Sequence, residues 1–125
     1  MRKVLSTTNA PAAIGPYSQG ILTERLVFTS GQLPIDVKTG MMPDDIAAQT
    51  EVSLKNVAAI LEAAGTTLEK AVKMTVFVRD MNDFDKINAV YASFFQGGGA
   101  PARSLVQVAR LPKDAGIEIE CIALL

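Results

Sequence analysis

The chain has 125 residues, a formal net charge of -1 from 12 basic and 13 acidic side chains, one cysteine and no histidine. That length points to a single domain, residues 1–125, able to bury a core without a metal or disulfide staple. The composition excludes histidine-based acid–base or nucleophilic chemistry, an internal disulfide and a Cys/His zinc site, and the mixed charges leave no basic stripe for nucleic acid.

The chain starts M-R-K-V-L-S-T-T-N-A-P, which lacks the apolar core of a signal peptide, and no later run reaches bilayer length. A cytoplasmic location is expected, without membrane contact. Lys3 to Leu5 reads as a short edge strand. The loop Ser6 to Pro16 follows and delivers Gly15-Pro16-Tyr17-Ser18. Pro16 fixes its own φ and biases Gly15 toward an extended form, so Tyr17 sits on a stiff approach. Its ring either packs on the core or lines a site.

Gln19 to Leu22 and Leu26 to Ser30 read as a hairpin around Thr23-Glu24-Arg25, the second arm β-branched and aromatic. Ser30-Gly31-Gln32 comes next. Gly31 permits close backbone approach, and Ser30 offers a hydroxyl to a ligand; a β-bulge without a ligand is the alternative. The first helix starts at Asp44 or Asp45 and stops at Gly65, with Ile46, Thr50, Leu54, Val57, Leu61 and Ala64 along one stripe. Glu51 and Lys55 form an outer i,i+4 pair.

In the strand Val72 to Arg79, the residues Val72, Met74, Val76 and Val78 share an apolar face. Asn82-Asp83 begins a second helix with inner stripe Phe84, Asn88, Tyr91 and Phe95. Asn88, an amide in an apolar row, needs a hydrogen-bond partner, and neighbouring backbone is the expected one. Gly97-Gly98-Gly99 lacks the helix start of a phosphate loop, so no nucleotide site is expected.

The last stretch, Ala100 to Leu125, reads as two strands joined as a hairpin. In the first, Arg103 shares a face with Leu105 and Gln107. In the second, Glu118 and Glu120 share one with Ile122 and Leu124. Alternation aims these charges at a covered face. An arginine fork beside apolar neighbours binds a carboxylate by two parallel hydrogen bonds. An ordinary ion pair of Arg103 with Glu118 or Glu120 is the alternative. Arg110 reads as a loop arginine and Cys121 as a buried, inert thiol. The elements imply a mixed sheet with two helices on one face. The other face, carrying part of Phe77, Leu105 and the last strand, needs cover, and self-association is the simplest.

The segments A-P-A-R-S-L-V-Q-V-A-R-L-P-K-D and I-E-I-E-C-I-A closely resemble the C-terminal signature of the RidA/YjgF family, the reactive intermediate deaminases. N-A-P-A-A-I-G-P-Y-S-Q-G, T-S-G-Q-L-P-I-D and V-F-V-R-D-M-N-D-F stand in family order, so the resemblance covers nearly the whole chain. It implies a chorismate-mutase-like α+β fold, assembled as a homotrimer with pockets between subunits. It further implies hydrolysis of imines such as 2-iminobutanoate and 2-iminopropanoate to 2-oxo acids and ammonia, with no cofactor or metal. Carried over by motif, Arg103 would clamp the substrate carboxylate and Glu118 would position water. Tyr17, Ser30, Gly31 and Asn88 would line or support the pocket. Leu105 stands where many members carry cysteine, with its backbone carbonyl still available, and the link Gln96 to Ala100 is shorter than is common. Other readings are a non-catalytic trimeric module for 2-oxo acids, a chaperone, and a ribonuclease or translation inhibitor; missing histidine and basic patch weigh against the ribonuclease.

Overall fold

A computed structural model describes residues 1–125. Six strands form one mixed sheet in the order β1-β2-β3-β6-β4-β5. They are β1 (Lys3–Leu5), β2 (Gly20–Leu22), β3 (Leu26–Thr29), β4 (Ala71–Val78), β5 (Ala102–Gln107) and β6 (Ile117–Leu124). Two helices, α1 (Ile46–Ala63) and α2 (Phe84–Ser93), pack side by side on one sheet face.

α1 begins at Asp45, whose Oδ2 accepts from the Ala48 N–H at 3.0 Å. It ends where Gly65 takes φ +89°, a conformation that suits glycine. Thr50, Leu54, Val57 and Leu61 of its stripe are buried, joined by Ser53, Asn56 and Ile60. On the outer face Lys55 Nζ lies 3.2 Å from Glu51. The Asn56 amide donates to the carbonyls of Leu33 (3.0 Å) and Ile35 (2.9 Å), stitching the helix to the loop after β3.

The C-terminal pair is not a hairpin. β4 lies between β5 and β6, pairing antiparallel with β6 and parallel with β5. β6 carries Ile117, Ile119, Cys121 and Ala123 on one face, all buried under the helices, which suits a central position. The more polar β5, preceded by Pro101, takes the edge, where a proline is tolerated. α2 makes the crossover that a parallel β4–β5 pair requires.

Met74, Val76 and Val78 face the helices, but Val72 does not. The β4–β6 register shifts between Ala71 and Lys73, and this bulge turns Val72 outward, 40% exposed. On α2 the buried residues are Ile87 and Tyr91, while Phe84 is 39% exposed. Its inner face is therefore rotated from the expected stripe, leaving Phe84 and Asn88 toward the β5 edge.

The opposite sheet face carries Phe28, Thr75, Phe77, Glu118, Glu120 and Ile122, and no helix of the chain covers it. Phe28 is 38% exposed there. Leu105, expected on this side, pairs with Val76 on the helix side and packs against the core. No helix is long and apolar enough to cross a membrane.

Candidate functional site: two half-sites on opposite sheet faces

In β5 Arg103 lies opposite Met74, a core residue, so its side chain rises on the helix face at the sheet edge. α2 meets it there. Arg103 Nη1 donates to Asn88 Oδ1 at 2.8 Å, and the guanidinium carbon lies 4.7 Å from the Tyr91 ring centroid and 5.9 Å from that of Phe84. Asn88 thus finds a side chain, not the expected backbone. The ion-pair alternative does not hold, because the salt bridges in the chain are Lys55–Glu51 and Arg110–Asp114. Arg103 keeps its charge unneutralised. Burial pushes the Tyr91 phenol up to about 12, and the Arg103 charge only partly offsets that, so Tyr91 stays protonated.

Glu118 occupies the other face, opposite Phe77 in β4. Glu120 is beside it on the same face, and both are half-buried, so neither points to the helix side with Arg103. Burial first, and repulsion from Glu120 second, raise the Glu118 pKa above the ordinary carboxylate value. Its carboxylate lies against Gly31: a Cβ at that position would sit 2.7 Å from Glu118 Oε2. Gly31 is needed for close approach, not for a positive φ. Gln32 and Ile119 exchange backbone hydrogen bonds of 2.7 and 3.2 Å, which pin the Gly31 turn to β6. The Gly31 N–H donates to no acceptor in the chain. The Ser30 hydroxyl donates to the Ser18 carbonyl at 2.5 Å, so it can serve a ligand only as an acceptor.

Tyr17 and Gly31 line a cavity of about 650 Å³ between the loop that precedes Tyr17 and the chain after β3. Tyr17 is 48% exposed, and its hydroxyl accepts a 3.4 Å contact from the Ile14 N–H. The loop is held by buried Gln19, whose amide donates to the carbonyls of Thr7, Ala10 and Pro11. Lys113, at φ 56°, brings the only formal charge to the cavity lining.

The structure brings together Arg103, Asn88 and Leu105 in one half-site; in the other, Gly31 lies against Glu118 and shares the cavity lining with Tyr17, while Glu118 and Ser30 are not part of that lining and Ser30 bonds to Ser18. The structure does not bring the halves together within one chain. Sequence reading missed Tyr91 as an arginine neighbour, since an aromatic in a helical stripe reads as core. It also missed Gln19 and Lys113, for which no local pattern gave a signal. No group of three or more Cys, Asp or Glu side chains converges to hold a metal ion.

The chemistry available is recognition of a carboxylate at Arg103, and proton acceptance by a carboxylate of raised basicity at Glu118 with the free Gly31 N–H adjacent. A family model described as Endoribonuclease L-PSP matches residues 7–125. A Salmonella typhimurium protein named 2-iminobutanoate/2-iminopropanoate deaminase is 57% identical over 125 residues, 98% of each chain. An Escherichia coli protein of the same name matches equally, at 57% over 98% of each. Among solved structures, the Escherichia coli YjgF gene product superposes with a TM-score of 0.95 at 56% identity, covering 98% of both chains. Escherichia coli TdcF with bound serine gives a TM-score of 0.96 at 51% identity over 98% of both.

Proposed function

The chain belongs to the endoribonuclease L-PSP family, the RidA/YjgF group its motifs resemble, and from that premise we propose that it hydrolyses 2-iminobutanoate and 2-iminopropanoate to 2-oxo acids and ammonia. The observation that carries this reading is the end-to-end match to two proteins named for that reaction.

The half-sites supply what the reaction needs. A protonated imine is already an electrophile, so orientation and a placed water supply most of the assistance. Arg103 binds the substrate carboxylate through its free N–H donors. Glu118, with its raised pKa, orients a water and takes its proton as oxygen bonds to the imine carbon. Glu118 then returns that proton to the carbinolamine nitrogen, and as the C–N bond breaks the hydroxyl proton passes back to Glu118, so that ammonia leaves and the 2-oxo acid forms. In this reading the Gly31 N–H beside Glu118 and the Ser30 oxygen bind the substrate, with Tyr17 walling the cavity and Leu105 flanking Arg103.

Arg103 and Glu118 face opposite ways, so one substrate can meet both only between copies. A homotrimer that sets the Arg103 half of one subunit against the Glu118 half of the next satisfies this and covers the open sheet face. The substrates are small cytoplasmic imino acids. The non-catalytic module would need Arg103 but not Glu118. The ribonuclease named in the family description finds neither histidine nor a basic stripe here.

The test couples threonine dehydratase to semicarbazide trapping. Added protein should lower the yield of semicarbazone from the released imine. An unchanged yield would refute the deaminase reading.

A further inference from the structure

Arg103 is half-buried on an edge strand without a carboxylate beside it. Its neighbours are one neutral amide and two aromatic rings, set four and three residues apart on α2 at Phe84, Asn88 and Tyr91. A carboxylate brace would hold the guanidinium but cancel its charge. An amide and π faces hold it and leave the charge for an incoming anion. Tyr91 is the principal part of this cradle. It is only 6% exposed, its centroid is the nearer of the two, and Phe95 fixes its ring from the side at a centroid distance of 4.8 Å. Its hydroxyl is buried and makes no hydrogen bond, so the contribution to Arg103 comes from the ring face.

We propose that Tyr91 is a positioning residue for the hydrolysis, its ring face holding the Arg103 guanidinium in the plane from which it receives the substrate carboxylate. This rests on the reading of Arg103 as the carboxylate clamp. The interaction is electrostatic, between a cation and the negative face of the ring quadrupole. It therefore acts on substrate binding and leaves the water step at Glu118 alone.

Two measurements on the full-length protein test it. Calorimetry compares binding of 2-oxobutanoate with its neutral amide, and steady-state assays follow the imine. Tyr91→Leu should weaken the preference for carboxylate over amide and raise KM by about five- to tenfold, with kcat within about twofold. Tyr91→Phe should restore most of both. Because Leu could disturb packing, phenylalanine, trifluorophenylalanine and pentafluorophenylalanine at position 91 form a series of nearly constant shape. KM should climb as fluorine drains the ring face, at unchanged melting temperature. A flat series, or full carboxylate preference in Tyr91→Leu, overturns the proposal. Arg103→Ala separates it from its premise. If Arg103→Ala loses the preference and the Tyr91 series stays flat, only the role of Tyr91 fails. If Arg103→Ala keeps the preference, the carboxylate clamp fails and Tyr91 with it.

Discussion

Glu118 owes its chemical character to three neighbours: the sheet that buries it, Glu120 beside it, and a glycine that lets it approach the turn. Its folded state holds the proton more tightly than the unfolded chain does. That contribution to stability is fully present below the ordinary carboxylate value and is lost as pH rises through the raised one. Glu118→Gln avoids the loss. Its denaturant midpoint should exceed the parent's at neutral pH, with the gap closing toward about pH 4. The same substitution should lower kcat by about 10²–10⁴-fold, and the parent's acid limb in kcat/KM should lie above the ordinary carboxylate range. Gly31→Ala tests the close approach. Its methyl would displace the carboxylate, so activity should fall by about 10²-fold while the melting curve changes little. The importance of Gly31 was legible in the sequence because a glycine after a strand signals close approach. The basicity of Glu118 was not, because the burial behind it comes from segments distant in the chain, among them β4 opposite it and the Gly31 turn against its carboxylate.

Among the elements, α1 was legible almost to the residue. Its cap, its stripe and its terminal glycine are local signals, and local signals survive folding. The C-terminal strands misled for a physical reason. Two strands joined by a short loop usually pair, yet β4 inserts between them because a long apolar strand gains most from having a neighbour on each side. The side-chain period of two groups residues within a strand and leaves open which sheet face each group takes. Arg103 and Glu118 therefore both read as facing a covered side, and only the topology separates them. Two predictions belong to the helices. Ser53 is buried in α1 with an unpartnered hydroxyl, so Ser53→Ala should raise stability by about 1 kcal/mol in denaturant titration. Asn56→Ala removes both bonds to the loop after β3 and should cost about 1–3 kcal/mol, with faster amide exchange in that loop.

At the scale of the whole molecule, the sheet works as a partition. Its helix side builds a cation held by neutral partners. Its open side builds a carboxylate of raised basicity beside a free N–H. Arg103 and Glu118 lie on opposite faces of that sheet, so the proposed site draws its two halves from different copies. The complementation of two inactive variants tests this most directly. Arg103→Ala and Glu118→Gln are each assayed alone, then unfolded together in equal amounts and refolded into mixed assemblies. Each alone should be nearly inactive. In mixed trimers about a quarter of the sites should pair an intact Arg103 with an intact Glu118 from the next subunit, and that share of parental activity should return. A mixture as inactive as its components would contradict a site shared between copies.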